Sequence, residues 1–169
     1  MNQAVVNTGN AAGGASLQQV LTFTLGAESF GVEILRVQEI RGWSKVTQIP
    51  EAPAHVLGVL NLRGSIVPIV DLRMRLGLER IEYTPLTVIV VLSVQSAAGR
   101  RDFGIVVDGV SDVTDLTEEN LKPTPDLGSS VNTDYIRALA AVGDRMMMLL
   151  DVDRLLTTDT AMEYSQTAH

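Results

Sequence analysis

Short apolar runs, separated by glycine, proline and polar residues, dominate the middle of the chain. They are rich in valine, isoleucine and leucine, and most have the length of one β-strand. The runs are Val20–Leu25, Val32–Ile40, Val56–Leu62, Ile66–Leu72, Thr87–Val94, Phe103–Val107, Val110–Leu116, Ile136–Val142 and Met146–Val152. This pattern predicts a mainly β protein of the small-barrel type.

Turn and capping residues between the runs predict the local connections. The segments 61–64 and 142–145 each place a glycine between two apolar runs, which is typical of a hairpin turn. Short helices are predicted at Ala52–Leu57, Asp71–Leu76 and Asp151–Leu156. Asp71 and Asp151 are suitable N-caps, and Gly77 is a suitable helix stop.

The chain also carries an internal repeat. Phe30–Ile40 aligns with Phe103–Val113 without a gap, and Val59–Leu76 aligns with Leu139–Leu156 at a slightly larger offset. The runs that open each half, Val20–Leu25 and Val88–Ser93, hold equivalent places. Each half has about 65–75 residues, roughly the size of a five-stranded barrel and near the lower limit for independent stability. We therefore expect a duplication in which the two halves pack together and can interleave strands.

These features divide the chain into a central domain and two tails. Residues 1–16 are mostly glycine, alanine, asparagine and serine, and we predict a disordered tail there. Residues 158–169 are predicted as a C-terminal tail. The domain spans residues 17–157, with approximate halves 17–84 and 85–157.

Composition excludes several classes of function. The 169 residues include no cysteine and two histidines, at positions 55 and 169, which leaves little for a metal site or a proton relay. The net charge of −7 argues against binding to nucleic acid. No apolar run reaches the roughly 20 residues that span a bilayer, and the start lacks the pattern of a signal peptide. We expect a cytoplasmic protein without direct membrane insertion.

Enzymatic and metal-binding motifs are also missing from the sequence. It contains no G-x-S-x-G, G-x-x-x-x-G-K-[ST] or G-x-G-x-x-G pattern. The carboxylates that could suggest a metal site are Asp108, Asp112, Asp115, Glu118 and Glu119. Their spacing does not match a calcium-binding loop. We predict no catalytic activity, no cofactor and no metal.

Arg63 is the most unusual charged residue in the pattern, because it lies at a turn between two very apolar strands. It either solvates the hairpin tip or caps a carbonyl, or it belongs to a docking surface; the residues alone leave both interpretations open. Pro68, inside the following run, predicts an edge strand or a bulge. Exposed strand edges beside apolar faces are natural docking surfaces for other chains. For Val37, Glu39 and Val110, simple alternation with valine inward and acid outward remains the plain interpretation.

Several segments, taken in order, resemble the CheW family of bacterial chemotaxis coupling proteins. The carrying segments are F-T-L-G at 23–26, F-G-V-x-I at 30–34, V-Q-E-I-R-G at 37–42, G-V-x-N-L-R-G-x-I-V-P-I-V-D-L-R at 58–73, G-I-V-V-D-G-V-S-D-V at 104–113 and G-D-R-M at 143–146. The resemblance covers about residues 18–157. Segment 95–102 departs from it and has the composition of a lengthened hairpin loop.

The resemblance implies a non-catalytic adaptor with two SH3-like β-barrels. Members of the family couple the regulatory domain of the histidine kinase CheA to the cytoplasmic tip of methyl-accepting receptors, so the protein would be recruited to membrane-associated receptor arrays. By position, the partner-binding residues would be Val37, Glu39, Gly58, Arg63 and Val110. The apolar edges with Ile34, Val37 and Ile66 would contact the kinase. The crevice between the barrels would accept a helical hairpin, with Arg63 and Glu39 at its rim. The alternative is a CheW-like scaffold in another motility or developmental pathway.

Overall fold

β-Strands make up most of the described chain. The computed structural model describes residues 18–124 and 134–157, so the tails predicted at 1–16 and 158–169 lie outside the described residues. The strands are β1 (Gln18–Leu25), β2 (Glu28–Glu33), β3 (Val37–Gly42), β4 (Val56–Leu62), β5 (Ser65–Asp71), β6 (Val88–Ser96), β7 (Gly99–Val107), β8 (Gly109–Leu116), β9 (Leu121–Lys122), β10 (Ile136–Val142) and β11 (Arg145–Leu150). The helices are α1 (Leu72–Arg75) and α2 (Val152–Thr157), and 3₁₀ turns span Ile34–Arg36 and Glu118–Asn120. None of the helices in these ranges is long and apolar enough to cross a membrane.

The strands form two sheets with the same internal order. Sheet 1 runs β3-β6-β7-β5-β4, and sheet 2 runs β8-β1-β2-β11-β10-β9. Each sheet contains one parallel contact, between β5 and β7 in sheet 1 and between β11 and β2 in sheet 2. Apart from the two-residue β9, every strand of one sheet has a counterpart at the same place in the other. The mainly β, duplicated architecture predicted from the sequence is confirmed.

The register of the parallel contacts repeats the sequence alignment. Gly104 on β7 pairs with Ile69 on β5, and Gly31 on β2 pairs with Leu149 on β11. The two glycines occupy equivalent positions in the first pair of aligned segments, and Ile69 and Leu149 do so in the second pair. The repeat in the sequence is therefore a repeat of strand positions and not only of apolar composition.

Each sheet takes strands from both halves of the sequence. Sheet 1 uses the continuous stretch from β3 to β7, whereas sheet 2 combines β1 and β2 with β8 to β11. The chain passes from sheet 2 to sheet 1 through the 3₁₀ turn Ile34–Arg36, and it returns through Asp108. We refer to these two short segments as the first and the second crossover.

The largest apolar cluster lies between the two sheets. It joins residues of both sheets and of α2, including Phe23 and Phe103. Smaller clusters form around Ile69 on sheet 1 and around Leu149 on sheet 2. Residues 89–94 of β6 and 103–107 of β7 are buried on both faces, and these parts of the two strands are therefore mostly apolar instead of alternating.

Both predicted hairpins and two of the three predicted helices are confirmed. Residues 63–64 turn between β4 and β5, and residues 143–144 turn between β10 and β11. The Oδ1 atom of Asp71 accepts a hydrogen bond from the backbone N–H of Met74 at 3.2 Å, so Asp71 caps α1. Gly77, with φ of 81°, follows its end.

Two predicted elements are wrong. The segment Ala52–Leu57 is not a helix, because β4 begins at Val56 and pairs with β5. The run Val32–Ile40 is not one strand, because the first crossover divides it between β2 of sheet 2 and β3 of sheet 1. That run contains no glycine or proline at the crossover that would mark the break.

Pro68 lies in an interior strand, so the predicted edge position is wrong. β5 sits between β4 and β7 in sheet 1. The N–H and C=O of Val59, opposite Pro68, bond outward to Thr47 at 2.8 and 2.9 Å, so Val59 and Pro68 form a non-hydrogen-bonded pair. The parallel ladder with β7 begins one residue later. The missing N–H of proline therefore breaks no bond, and an irregular register between Val56 and Gly58 lies directly beside it.

Candidate protein-binding site

Arg63 stands at the tip of the hairpin between β4 and β5. Its φ is 54° and that of Gly64 is 87°, and two successive positive φ angles are typical of a tight two-residue hairpin turn. The N–H of Gly64 donates to Oδ1 of Asn61 at 2.9 Å and holds the turn. The Arg63 side chain is 76% exposed, so it is available to groups outside the hairpin.

Glu39, on β3, faces two arginines. Nη2 of Arg63 lies 3.0 Å from its Oε1, and Nη1 of Arg41 lies 3.3 Å from its Oε2. Among the described residues no donor is in hydrogen-bond geometry with the buried Oε1 atom, so the contact with Arg63 is an ion pair by distance alone. Because the arginine is mostly exposed, such a pair contributes at most about 1 kcal/mol to stability. The pair is better suited to an interface than to holding the fold.

An exposed apolar side chain accompanies this ion pair. Ile66 on β5 is 61% exposed. Ile40 on β3 is 47% exposed, but it directly follows Glu39, so its side chain lies on the opposite face of the strand. A cleft of about 230 Å³ is lined by Gln38, Leu62, Arg63, Ser65, Val67, Val91 and Asp102. β3 is also an edge strand of the described sheet, and edge strands present backbone groups to partners. We define Glu39, Arg63 and Ile66 as the β3 surface; it combines an apolar side chain, charge and an open edge, as protein-binding surfaces do.

Sheet 2 has an equivalent cleft with different chemistry. It measures about 370 Å³ and is lined partly by Thr22, Asp112, Val113 and Met146. Asp112 corresponds to Glu39, but Oγ1 of Thr22 lies 2.8 Å from its carboxylate. In sheet 1 the residue opposite Glu39 is Val91, which offers no hydrogen bond. The carboxylate of Glu39 therefore has arginines as its neighbours, whereas that of Asp112 accepts a hydrogen bond from the strand opposite.

Val37 and Val110 occupy equivalent positions where the sheets meet. Val37 opens β3 directly after the first crossover, and Val110 is the second residue of β8, after the second crossover. Val37 pairs with Leu92, and Val110 pairs with Phe23. Both valines are half-buried and pack on the cluster between the sheets. Both valines therefore take part in the packing between the two sheets.

Gly58 has a backbone role. Its φ is 150°, and a Cβ built on it would lie 2.1 Å from the carbonyl oxygen of Thr47. Thr47 forms two backbone hydrogen bonds with Val59. Only glycine lets the segment after β3 lie this close to β4. The family resemblance implied that Gly58 binds a partner, which stays a prediction; the structure shows this local backbone role.

Ile34 and Ile66 differ in their surroundings. Ile34 lies in the first crossover and packs on the cluster between the sheets, so it has no exposed strand edge to offer. Ile66 is exposed beside the turn that holds Arg63. Of these two apolar residues, only Ile66 belongs to the β3 surface.

The second crossover is held by a bidentate ion pair. Nε and Nη2 of Arg73, on α1, donate to Oδ1 and Oδ2 of Asp108 at 3.0 and 2.6 Å. The N–H of Gly26, in the turn after β1, also donates to Asp108, at 2.6 Å. The guanidinium lowers the pKa of Asp108 and the N–H of Gly26 adds to this, while the carboxylate raises the pKa of Arg73. Three separate segments therefore meet at this carboxylate.

The first crossover is held in the same way with the charges reversed. Nη1 and Nη2 of Arg36 donate to the two carboxylate oxygens of Asp153, on α2, both at 2.7 Å. The N–H of Gln95, at the end of β6, donates to the same carboxylate at 2.8 Å. The guanidinium lowers the pKa of Asp153, and the carboxylate raises the pKa of Arg36. Arg36 also reaches the carbonyl of Ser93 at 3.0 Å.

The interpretation of the sequence did not assign a role to these two ion pairs. Arg73 aligns with Asp153 in the second pair of repeat segments, and this exchange of charge within an otherwise apolar match was the available signal. Its meaning needs the partners, Asp108 and Arg36, which lie on crossovers that the sequence does not mark.

Comparisons with known proteins agree with this architecture. The model of the CheW-like domain matches residues 19–160. The chain is 46% identical to the chemotaxis protein CheW of Klebsiella aerogenes over 84% of this chain and 83% of that one. It is 39% identical to the chemotaxis protein CheW of Rhizobium meliloti over 84% and 89% of the two chains.

A solved structure agrees as well. The scaffolding protein TtCheW from Thermoanaerobacter tengcongensis superposes with a TM-score of 0.76 at 26% identity, covering 85% of this chain and 95% of that chain. Its fold has two SH3-like barrels, which correspond to sheets 1 and 2. The chain belongs to the CheW family of chemotaxis scaffold proteins, which are not enzymes.

Proposed function

We propose that this protein is an adaptor that couples methyl-accepting chemoreceptors to the histidine kinase CheA through binding alone. It would bind the regulatory domain of the kinase and the cytoplasmic tip of the receptors, and it would work in the cytoplasm at receptor arrays. Membership of the CheW family supports this role. The partner-binding residues we propose are Val37, Glu39, Gly58, Arg63 and Val110.

The β3 surface is the observation that carries the proposal. It places an ion pair with one exposed end, Glu39 and Arg63, near the exposed side chain of Ile66, which lies three residues after Arg63. Apolar side chains supply binding energy when a partner buries them, and charges at the margin fix its orientation. An exposed ion pair that stabilises the fold by little leaves its charges available for that purpose.

The junction between the sheets is the second proposed surface. Val37 and Val110 are half-buried there, each next to a crossover. Their remaining exposed area suits a helical hairpin laid along the crevice in helix-in-groove fashion. We therefore expect two partners to use two surfaces of one molecule, as coupling requires.

Binding measurements with separate partners test this proposal. Isothermal titration of the full chain with the CheA regulatory domain, and separately with a receptor-tip fragment, should show binding to both. Arg63→Ala should weaken at least one interaction by about 1–4 kcal/mol, the usual range for a central interface residue, without lowering the melting temperature. Failure of the well-folded wild-type protein to bind the kinase domain would overturn the proposal.

A matched control separates interface from fold. Arg137, on β10, forms a surface ion pair with Glu33 at 2.9 Å, and the two side chains are 37% and 39% exposed. Arg137→Ala should leave both affinities unchanged. If Arg63→Ala instead lowers the melting temperature and leaves binding intact, Arg63 serves the hairpin and not a partner.

A further inference from the structure

The two ion pairs at the crossovers form a matched set. Each joins a crossover to the short helix that follows a strand of one sheet, Arg36 to Asp153 on α2 and Asp108 to Arg73 on α1. Each aspartate also accepts a hydrogen bond from a backbone N–H near the tip of a hairpin. Asp108 accepts from Gly26 in sheet 2, and Asp153 accepts from Gln95 in sheet 1. The two pairs occupy equivalent places, but the crossover carries the arginine in one pair and the aspartate in the other.

These pairs lie where they can influence how the two sheets are oriented relative to each other. Within the described residues, the crossovers are the covalent connections between sheet 1 and sheet 2. The side chains are largely shielded, with exposures of 15% and 23% for Arg73 and Asp108 and of 26% and 32% for Arg36 and Asp153. A bidentate pair with limited solvent access fixes direction as well as distance.

The crossovers also lie next to the two valines that we propose bind a partner. Val37 directly follows Arg36, and Val110 lies two residues after Asp108. Both valines pack on the cluster that the two sheets share. Val37 belongs to sheet 1 and Val110 to sheet 2, so a change in the orientation of the sheets would change the placement of one valine relative to the other. The β3 surface lies within sheet 1 and would keep its internal geometry.

We propose that Arg36 with Asp153 and Arg73 with Asp108 are positioning pairs that fix the orientation of the two sheets and thereby the relative placement of Val37 and Val110. The apolar cluster supplies the attraction between the sheets, which is non-directional. The ion pairs select one orientation among those that the cluster permits. This inference concerns the free protein, and its consequence for receptors rests on the proposed function.

Residual dipolar couplings of the full chain test the inference without any partner. The wild-type sheets should fit one common alignment tensor. Arg73→Asp and Asp108→Arg should each place two like charges together, so the sheets should then need different orientations and the methyl signals of Val110 should shift. The double variant Arg73→Asp with Asp108→Arg reproduces the charge arrangement of the first crossover and should restore the common tensor, although the N–H of Gly26 loses the carboxylate that accepts its hydrogen bond.

Two further variants keep the test decisive. Arg73→Gln removes the charge without introducing repulsion, and it should shift Val110 even if the reversed variants fold poorly. Glu33→Gln, which breaks the surface pair with Arg137, should shift neither valine. If the single variants lower the melting temperature while the common tensor and the Val110 signals stay unchanged, the pairs only stabilise and the inference is overturned.

Binding then links the inference to function. A receptor-tip fragment should lose affinity for Arg73→Gln and regain it for the double charge exchange. If the tensor changes as expected but no receptor fragment binds even the wild-type chain, the proposed function fails and the positioning role stands.

Discussion

Gly104 faces Ile69 across the parallel contact of sheet 1 so closely that a Cβ on the glycine would lie 2.6 Å from Cδ1 of Ile69. Its counterpart in sheet 2, Gly31, would meet Sδ of Met147 at 2.8 Å and Cδ2 of Leu149 at 3.0 Å. Both halves of the sequence thus have a glycine at this equivalent position because two strands approach each other closely there. This requirement differs in severity between the sheets.

Gly104→Ala should destabilise the protein more than Gly31→Ala. The added methyl at position 104 meets Ile69, which is fully buried and β-branched, and such overpacking costs about 1–3 kcal/mol. At position 31 the nearest atom belongs to Met147, whose unbranched side chain adapts more easily. Urea unfolding of both variants measures the difference.

Gly42 provides the control for this comparison. A Cβ there would meet no atom within 4 Å, so Gly42→Ala should change the free energy of unfolding by less than about 0.5 kcal/mol, as for ordinary surface changes. Equal stability of the Gly104 and Gly42 variants would contradict the packing explanation.

Gly58→Ala should lower stability by more than about 2 kcal/mol, because the new Cβ would collide with backbone at Thr47 rather than with a movable side chain. The N–H of Thr47 donates to the carbonyl of Val59, and the N–H of Val59 donates to the carbonyl of Thr47. Hydrogen exchange should therefore show loss of protection at these two N–H groups. Any loss of partner binding in this variant should therefore accompany local unfolding. Weakened binding with full protection of these two N–H groups would instead make Gly58 a direct contact.

Strands and hairpins could be predicted from the sequence because their signals are local. The turn at Arg63 and Gly64, the cap at Asp71 and the stop at Gly77 each depend on a few neighbouring residues. The assignment of strands to sheets could not be predicted in the same way. The first crossover at Ile34–Arg36 carries no turn residue, and only the packing of both sheets divides the run that contains it.

For the candidate site, too, the residues could be predicted from the sequence but their contacts could not. Resemblance to a family singled out Glu39 and Arg63, but their ion pair joins residues that are far apart in the sequence and depends on how the sheet folds. The repeat alignment likewise set Asp112 against Glu39. That alignment also sets Gly143 against Arg63, so Asp112 has no arginine at the equivalent turn. The hydrogen bond that Thr22 provides instead, where Glu39 faces Val91, is visible only when the strands are in register.

Acid should weaken the fold through Asp108 and Asp153. Their arginine partners lower both pKa values in the folded protein, whereas an aspartate in the unfolded chain titrates near a pKa of about 3.9. The folded state therefore holds these protons less readily, so the stabilisation is complete above about pH 4 and is lost as pH falls through the folded pKa values. Urea unfolding across this range should show the decline.

The double variant Asp108→Asn with Asp153→Asn isolates this effect. It should be less stable than the wild type at neutral pH, and the difference should shrink as the solution becomes acidic, because the wild-type carboxylates are then protonated as well. A difference that stays constant from neutral to acidic pH would show that the two carboxylates do not act through their charge.

Tyr83→Phe should destabilise sheet 1 without moving the aromatic ring. The hydroxyl of Tyr83 donates to Oδ2 of Asp71 at 2.5 Å, and Asp71 is 2% exposed, so the variant leaves a buried carboxylate oxygen without this donor. The expected cost is about 1–3 kcal/mol. The ring of Tyr83 lies 4.3 Å from that of Trp43 between centroids, and phenylalanine keeps this contact.

The single tryptophan makes this prediction specific. Fluorescence of Trp43 in the folded state should be nearly unchanged in Tyr83→Phe and altered in Tyr83→Ala, which removes the ring. Burial and the bond to Asp71 raise the pKa of Tyr83 well above its ordinary value. The stabilisation by its hydroxyl should therefore persist below a pH of about 10, where the unfolded tyrosine begins to ionise, and fall as the pH rises further. Equal alkaline stability loss in the wild type and Tyr83→Phe would refute the role of the hydroxyl, since only the wild type has that proton to lose.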